Sequence, residues 1–481
     1  MEKEKLFLWL HMHQPDYYDP ILQVQILPWV RRGALKGYQL IPRLLSKTSF
    51  KLNVNFSGIL LEQLLHYESL KFIDLYEGYE NFEAKYMTDG EIAFVIKNMI
   101  PENPCFSKRS EILHEKKVKG ERLNLQDIID AQVLYKLSAF APLDDLVFEL
   151  LKKGKNFTEE DKNNLIGLER RTLTNIIPLY RELAGKGQIE LTFTPYHHPI
   201  LPLLIDFENA MKSKTSEVLP QVNSNLIEDA REHIRSGIEI FENVFGVKPS
   251  GMWPSEGSIS QEVFDLSKEY GIKWIGSDEL VLKKTSTTAQ GVYTINGIKG
   301  FFRSHEASDR IGFIYNKVDA FKAIEDLQAF LKQQELLVLI IDGENPWEYY
   351  PNSGVEFLGN LFEKFGKYSI LGGEVETSRE VQELSPGSWI NGNFDTWIGN
   401  IENNTAWTYL ISARNDLRHN RASVDELLKA EGSDYFWWYS NYHKHEANGV
   451  FDELFRHRLI KAYQVANVKV PEYLFIPIKN R

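Results

Sequence analysis

Short apolar runs alternate along this chain with longer stretches at helical spacing. LFLWLHM (6–12) has the length and composition of a buried strand. ALKGYQLIPRLL (34–45) predicts a short helix, KLNVNFS (51–57) alternates as a strand does, and LLEQLLHYESLKFI (60–73) returns to helical spacing. RTLTNIIPLYRELAGKG (171–187) predicts a helix stopped at Gly185 and Gly187, followed by the strand QIELTFT (188–194). SISQEVFDLSKEYG (258–271) carries Ser258 as a candidate N-cap and Gly271 as a stop, with IKWIGS (272–277) as the next strand. AFKAIEDLQAFLKQQ (320–334) predicts a helix, ELLVLIID (335–342) a strongly apolar strand and GVEFLGNLFEKFG (354–366) another helix.

Short buried strands separated by helices, from residue 6 to about 370, predict a parallel α/β sheet, closed or open. Residues 75–170 are less regular and rich in charged helical stretches, and read as an insertion. From about 400 onward the strands vanish: WTYLISARNDLRH, ASVDELLKAEG and FDELFRHRLIKAYQ all have helical spacing. No internal repeat or low-complexity tract interrupts the pattern.

Composition narrows the classes. With 481 residues, of which 43% are hydrophobic and 25% charged, the chain can bury a full core. A net charge of -12 disfavours nucleic acid as a partner. The single cysteine, Cys105, allows no intrachain disulfide and no thiolate metal cluster, which suits a reducing, cytoplasmic setting. The apolar run near the start is too short for a signal peptide, and no stretch is long enough to span a bilayer. The aromatic content is high, with 10 Trp, 22 Tyr and 28 Phe. Such rings serve cores, but they also stack on the apolar faces of sugars.

In parallel α/β proteins, sites form at the carboxyl ends of the strands. Four places meet that rule: HMHQP (11–15), TPYHHPILP (194–202), GMWPSEGS (251–258) and IIDGENPWEYY (340–350). His11 and His13 lie two apart and share one strand face. Asp342 ends one of the most apolar strands, where a carboxylate is costly unless hydrogen-bonded or used; the plainer reading is an N-cap for the next helix. Glu256, beside Trp253, could be an ordinary turn carboxylate. Taken together, Glu256 and Asp342 could face each other as the pair that glycoside hydrolysis needs, one protonated and one ionised. His11, His13, His197, His198, Asp342 and Glu344 could alternatively build a mononuclear metal site of a deacetylase-like hydrolase. The HExxH, GxGxxG-after-strand and P-loop motifs do not occur.

Five ordered stretches resemble the conserved regions of glycoside hydrolase family 57: HMHQP (11–15), GQIELTFTPYHHPILPLL (187–204), GMWPSEGS (251–258), IDGENPW (341–347) and PGSWINGNFDTWIGNIENNTAW (386–407). DYFWWYSNYH (434–443) and FDELFRHRLIKAY (451–463) resemble the helical part of amylase and amylopullulanase members. The resemblance implies a distorted (β/α)7 barrel, residues 1–380 with the insertion around 75–170, followed by a helical C-terminal domain, 381–481, that completes the cleft. It implies a retaining enzyme acting on α-glucans, with Glu256 as nucleophile and Asp342 as general acid/base. His11, His13, His198 and Glu344 would surround the reacting sugar, Trp253 would face it, and Trp389 and Trp397 would line the cleft, whereas Trp407 lies in a helical run. Neither metal nor cofactor is implied, and an α-glucan or maltooligosaccharide is the expected partner. Ser255 and Gly257 flank the glutamate as in amylopullulanase-like members, and the chain leaves no room for the β-rich C-terminal domain of the longer glucanotransferases. Both features favour a hydrolase over a glucanotransferase or branching enzyme. An inactive glucan-binding relative would be expected to have lost one of the carboxylates.

Overall fold

The computed structural model describes residues 4–69, 73–102, 107–213, 218–285, 291–377, 379–442 and 448–479. Cys105 and the first three residues lie outside them. Among the described residues, eight strands form the main sheet: β1 (Lys5–Met12), β2 (Leu52–Ser57), β3 (Ile189–Thr194), β4 (Gly251–Met252), β5 (Trp274–Asp278), β6 (Gly291–Ile295), β7 (Ile298–Arg303) and β8 (Leu336–Asp342). Their spatial order is β8-β1-β2-β3-β4-β5-β7-β6. All neighbours are parallel except β6, which pairs antiparallel with β7 as a hairpin. Seven parallel strands therefore curl into a distorted barrel. It comes close to closing where Ser304 N, just after β7, donates to Val338 O of β8 at 2.8 Å. The expected (β/α)7 barrel with a helical C-terminal region is what the chain forms, with the β6 strand as an addition.

Strand alternation decides what the barrel contains. Leu6, Leu8, Leu10 and Met12 of β1 point outward into the main core beneath the helices. Phe7 and Trp9 point inward, with Trp253, Trp274, Phe301, Val338 and Ile340, and fill the interior with stacked rings. Trp9 lies 4.5 Å from Trp274 and 5.4 Å from Trp253, centroid to centroid. Gly276 makes room: a Cβ there would lie 2.5 Å from the Trp9 ring. In β2 and β3 it is the polar half of the alternation that faces inward. Asn53, Asn55, Ser57, Thr192 and Thr194 are buried, yet each has partners; Asn53 Nδ2, for example, donates to Leu8 O at 3.0 Å.

Helices Leu75–Asn81, Asp89–Met99, Lys108–Lys119, Leu125–Ala139 and Asp145–Lys153 form the insertion, and gather a second apolar cluster that includes Val95, Leu113, Val133, Leu137 and Leu165. The helix expected at 171–187 is the second half of one 27-residue helix, Glu159–Gly185, which begins at a Thr158–Asp161 capping box. Beyond the barrel, helices Ile401–Leu417, Val424–Ala430, Ser433–Tyr439 and Asn448–Val465 pack on one another. No helix among the described residues is long and apolar enough to cross a membrane.

Candidate active site

The inward positions of β1 run Phe7, Trp9, His11, so the ring stack ends in a histidine at the carboxyl end of the strand. In β8 the same face runs Val338, Ile340, Asp342. Parallel register sets His11 opposite Asp342 on one side and opposite Asn55 on the other, and Asn55 opposite Thr192. One row of inward polar side chains thus crosses four strands directly above the aromatic plug. Gly343 turns the chain immediately after Asp342, in a place where a Cβ would collide with the Met12 sulfur.

Above this row lies a cavity of about 590 Å³. His11, His13, Glu256, Asp342, Glu344 and Trp389 all line it. Glu256 belongs to the short turn Ser255–Gly257 after β4, with φ 58° and ψ 23°. His198 is held at φ 59°. A left-handed conformation costs a non-glycine residue about 1–2 kcal/mol, and here it falls on two residues of the same site, as strained backbone tends to. Trp389 grips Glu256 twice: its indole N–H donates to Oε2 at 2.8 Å and its backbone N–H to the Glu256 carbonyl at 3.0 Å.

The histidines form a directed chain. Asn55 donates its amide N–H to Thr194, so its carbonyl accepts from His11 Nδ1 at 2.7 Å and from Met12 N at 3.2 Å. Burial pushes His11 down to about pKa 3, with His13 adding repulsion, so the ring is neutral and its Nε2 accepts. His198 Nε2, 3.1 Å away, is then the donor. His198 is likewise held well below its ordinary value by burial, and its Nδ1 accepts from the Ser433 hydroxyl at 2.7 Å. His13 sits between Ser57 Oγ at 2.8 Å and both oxygens of Asp434 at 3.1 Å.

One donor atom from each of His13, His198 and Asp434 lies within 4.8 Å of the others, which raises the question of a metal. The two rings stack face to face with centroids 3.6 Å apart, and every ring nitrogen already has a partner. Imidazole ligands aim in-plane lone pairs at a common point, and stacked, fully hydrogen-bonded rings do not. His197, which the metal reading also used, packs against Tyr196 and His233 and does not line the cavity.

The acids are pushed up together. Burial lifts Glu256 to about pKa 8; the Trp389 N–H opposes this, while Asp434 and Asp342 add to it. Burial also raises Asp342, against the Asn345 amide 3.1 Å away and the more distant His13 and Arg303. Glu344 is raised well above the usual carboxylate range by burial and by Asp342, with Gln14 Nε2 donating to it at 3.3 Å. Several carboxyl groups with few cations among them are thus all pushed above their ordinary range.

Three expected positions differ. Trp253 does not face the cavity: it is fully buried at the top of the interior stack, with Trp389 lying over it at 5.2 Å. Trp389 lines the cavity in its place, as do Trp29, Trp437 and Trp438. Trp397 is also fully buried and does not line the cavity; it packs 6.1 Å from Trp437, and its carbonyl accepts from Trp407 Nε1. A run without strand or helix period gave no means of telling which tryptophan turns inward. His198 is fully buried and does not line the cavity; it meets His11 at 3.1 Å, stacks on His13, and sets its Nδ1 3.9 Å from Glu256 Oε1.

Sequence reasoning missed Ser433 and Asp434, which lie in a helical region far from any strand end. It also missed Arg303, which obeys the strand-end rule at the close of β7 but sits in an unrecognised hairpin. Arg303 Nε contacts Asp278 at 2.5 Å, and its guanidinium lies over the Trp389 ring.

A filled parallel barrel with acidic side chains gathered at its strand ends places the candidate site where barrel enzymes carry theirs. The chain belongs to glycosyl hydrolase family 57, whose model matches residues 7–388. No curated protein matches the sequence. Among solved structures, the family 57 branching enzyme of Thermococcus kodakaraensis is similar over 96% of this chain and 90% of its own, with a TM-score of 0.61 and 16% identity. The branching enzyme of Pyrococcus horikoshii covers 99% and 97%, with 0.59 and 17%. The α-amylase AmyC of Thermotoga maritima covers 96% and 93%, with 0.61 and 14%. At these identities the likeness is one of fold. The family match ends at residue 388, so Trp389, Ser433 and Asp434 all lie beyond it.

Proposed function

We propose that this protein is a retaining glycoside hydrolase acting on α-1,4-glucans, in the manner of an α-amylase or amylopullulanase. The observation that carries this reading is the pair Glu256 and Asp342, which come from different strand ends to line one cavity beside the Trp389 indole. Glu256, ionised, attacks the anomeric carbon, and Asp342 protonates the departing glycosidic oxygen. Asp342 then takes a proton from water, which displaces Glu256. Trp389 supports the nucleophile's role, because its N–H stabilises the carboxylate form. The pKa of about 8 on Glu256 opposes that role and would suit the acid, so the attachment point of the covalent intermediate is the deciding observation. A label trapped on Glu256 supports the assignment; one on Asp342 reverses it.

Both carboxylates are present, which argues against an inactive glucan binder. A branching enzyme or 4-α-glucanotransferase would use the same pair, and two of the similar structures are branching enzymes. Product analysis on maltooligosaccharides and pullulan separates the outcomes: short products indicate hydrolysis, a ladder of longer chains indicates transfer, and cleavage of pullulan reports on α-1,6 bonds. Stoichiometric zinc with activity lost to chelation would instead support a metal-dependent hydrolase. A chain this long with one cysteine suits the cytoplasm.

A further inference from the structure

The lining of the cavity includes two aromatic rings that the folded protein leaves open. Phe313 and Tyr349 are each 72% exposed, yet both line the cavity that contains Asp342. Large aromatics usually gain from burial, and an aromatic pair left open at the mouth of a polar cleft is a surface awaiting a ligand.

The backbone that presents them is anchored. Phe313 sits on a single π-helical turn, Arg310–Ile314, of the kind often found at functional sites. The other side of that turn is fixed: Ile311 is buried, and Arg310 pairs with Asp326 at 2.9 Å. Tyr349 follows the short turn Asn345–Glu348, in the same loop as Asp342. The two segments are tied together by Tyr350, whose hydroxyl donates to the Ile311 carbonyl at 2.6 Å. The preceding helix, His305–Asp309, is bound to β8 where Ile340 N donates to Ser308 Oγ. Both rings therefore stand on the framework that carries Asp342.

We infer that Phe313 and Tyr349 form the platform for the acceptor sugar, stacking on the apolar C–H faces of a second glucan end. This rests on the reading of Asp342 as acid/base, since the group that protonates the leaving oxygen lies on the side where leaving group and acceptor bind. A glucan end held there competes with water for the covalent intermediate. Its hydroxyl oxygen attacks the anomeric carbon, its proton passes to Asp342, and the bond to Glu256 breaks to release the carboxylate. The product is a longer glucan, and the two rings set the share of turnovers that end in transfer.

The test is the ratio of transfer to hydrolysis from one common intermediate, measured with an aryl α-maltoside as donor and maltose as acceptor. In the Phe313→Ala/Tyr349→Ala double variant the ratio should fall about fivefold to tenfold, the size of a lost aromatic contact. Phe313→Trp with Tyr349 intact should keep or raise it. General damage to the site would slow both outcomes together and leave the ratio where it was, so an unchanged ratio overturns the platform. Glu256→Gln and Asp342→Asn run in parallel separate the two failures. If the activity survives loss of both carboxylates, or the aryl α-maltoside is not turned over, the catalytic reading falls and the platform with it. If it is lost with them and the ratio does not move, only the platform falls.

Discussion

Two clusters of buried carboxylates in this molecule meet opposite fates. Where the insertion joins the barrel, Arg31 pairs with Asp74 at 2.7 Å, Glu80 at 2.7 Å and Glu169 at 3.1 Å, and Lys136 pairs with Glu80 and Glu169. Burial there would raise Glu80, but the two cations pull it down to about pKa 2. At the barrel mouth, Glu344 is buried and Glu256 and Asp342 are partly buried, and Arg303 is committed to Asp278. Burial wins and all three rise. Desolvation is common to both clusters; the cations make the difference. A compensated cluster fixes structure, whereas an uncompensated one keeps protons available for chemistry.

The largest effects should come from dismantling the second cluster. Glu256→Gln should lower turnover by about 10⁴-fold or more, because an amide is a poor nucleophile. Asp342→Asn should leave part of the first step on an aryl glycoside, accumulate the covalent intermediate and respond to azide with a glycosyl azide of retained configuration. An inverted azide product from that variant would rule out two-step catalysis.

Dismantling the first cluster should cost stability instead. Arg31→Met strips the shared cation from three buried carboxylates and should destabilise the fold by about 3–5 kcal/mol, read as a lower midpoint in denaturant. A loss below about 1 kcal/mol would show that the cluster is not held by its charges.

The pH dependence should separate the clusters again. Glu256 has its folded pKa raised from 4.5 to about 8, so the native state binds the extra proton in that interval. Its contribution to stability is complete below about pH 4.5 and is lost as pH rises through about 8. Glu256→Gln, which cannot ionise, should therefore unfold at a higher temperature than the parent at pH 8 and show little difference at pH 4.5. Equal melting curves for the two at pH 8 would mean that Glu256 is ionised without penalty.

The smallest effect sharpens the site alone. Trp389→Phe keeps the ring but removes the N–H that stabilises the Glu256 carboxylate. The limb of the pH–rate profile that reports Glu256 should move upward by about half a unit to one unit. A downward move would mean that the indole stabilises the protonated form.

Much of this was legible in the chain because alternation survives folding. The run LFLWLHM yields Phe7, Trp9 and His11 on one face, and ELLVLIID yields Val338, Ile340 and Asp342, so the strand-end rule found the row that crosses the barrel mouth. The plainer reading of Asp342 as a helix cap does not hold, since only the short turn Asn345–Glu348 follows it, with Glu344 at its N-cap, and Asp342 lines the cavity. The β6–β7 hairpin was invisible as a site because Arg303 ends a strand that no helix separates from its partner. β4 is two residues long, too short for any period, and only the residue types around Glu256 marked it. Trp253 and Trp389 have the same local chemistry. Which of them meets a ligand depends on one ring lying over the other, a tertiary fact that no local pattern carries.

The bond from His13 to Asp434 joins positions 421 apart in the chain. A ribosome adds roughly 5–20 residues per second, so the first strand emerges tens of seconds before the carboxylate that orients its histidine. For that interval a nascent barrel, however well formed, lacks both Asp434 and the Ser433 hydroxyl on His198. The site is thus incomplete by construction until the last helices dock, and its histidine network closes only as the fold is completed.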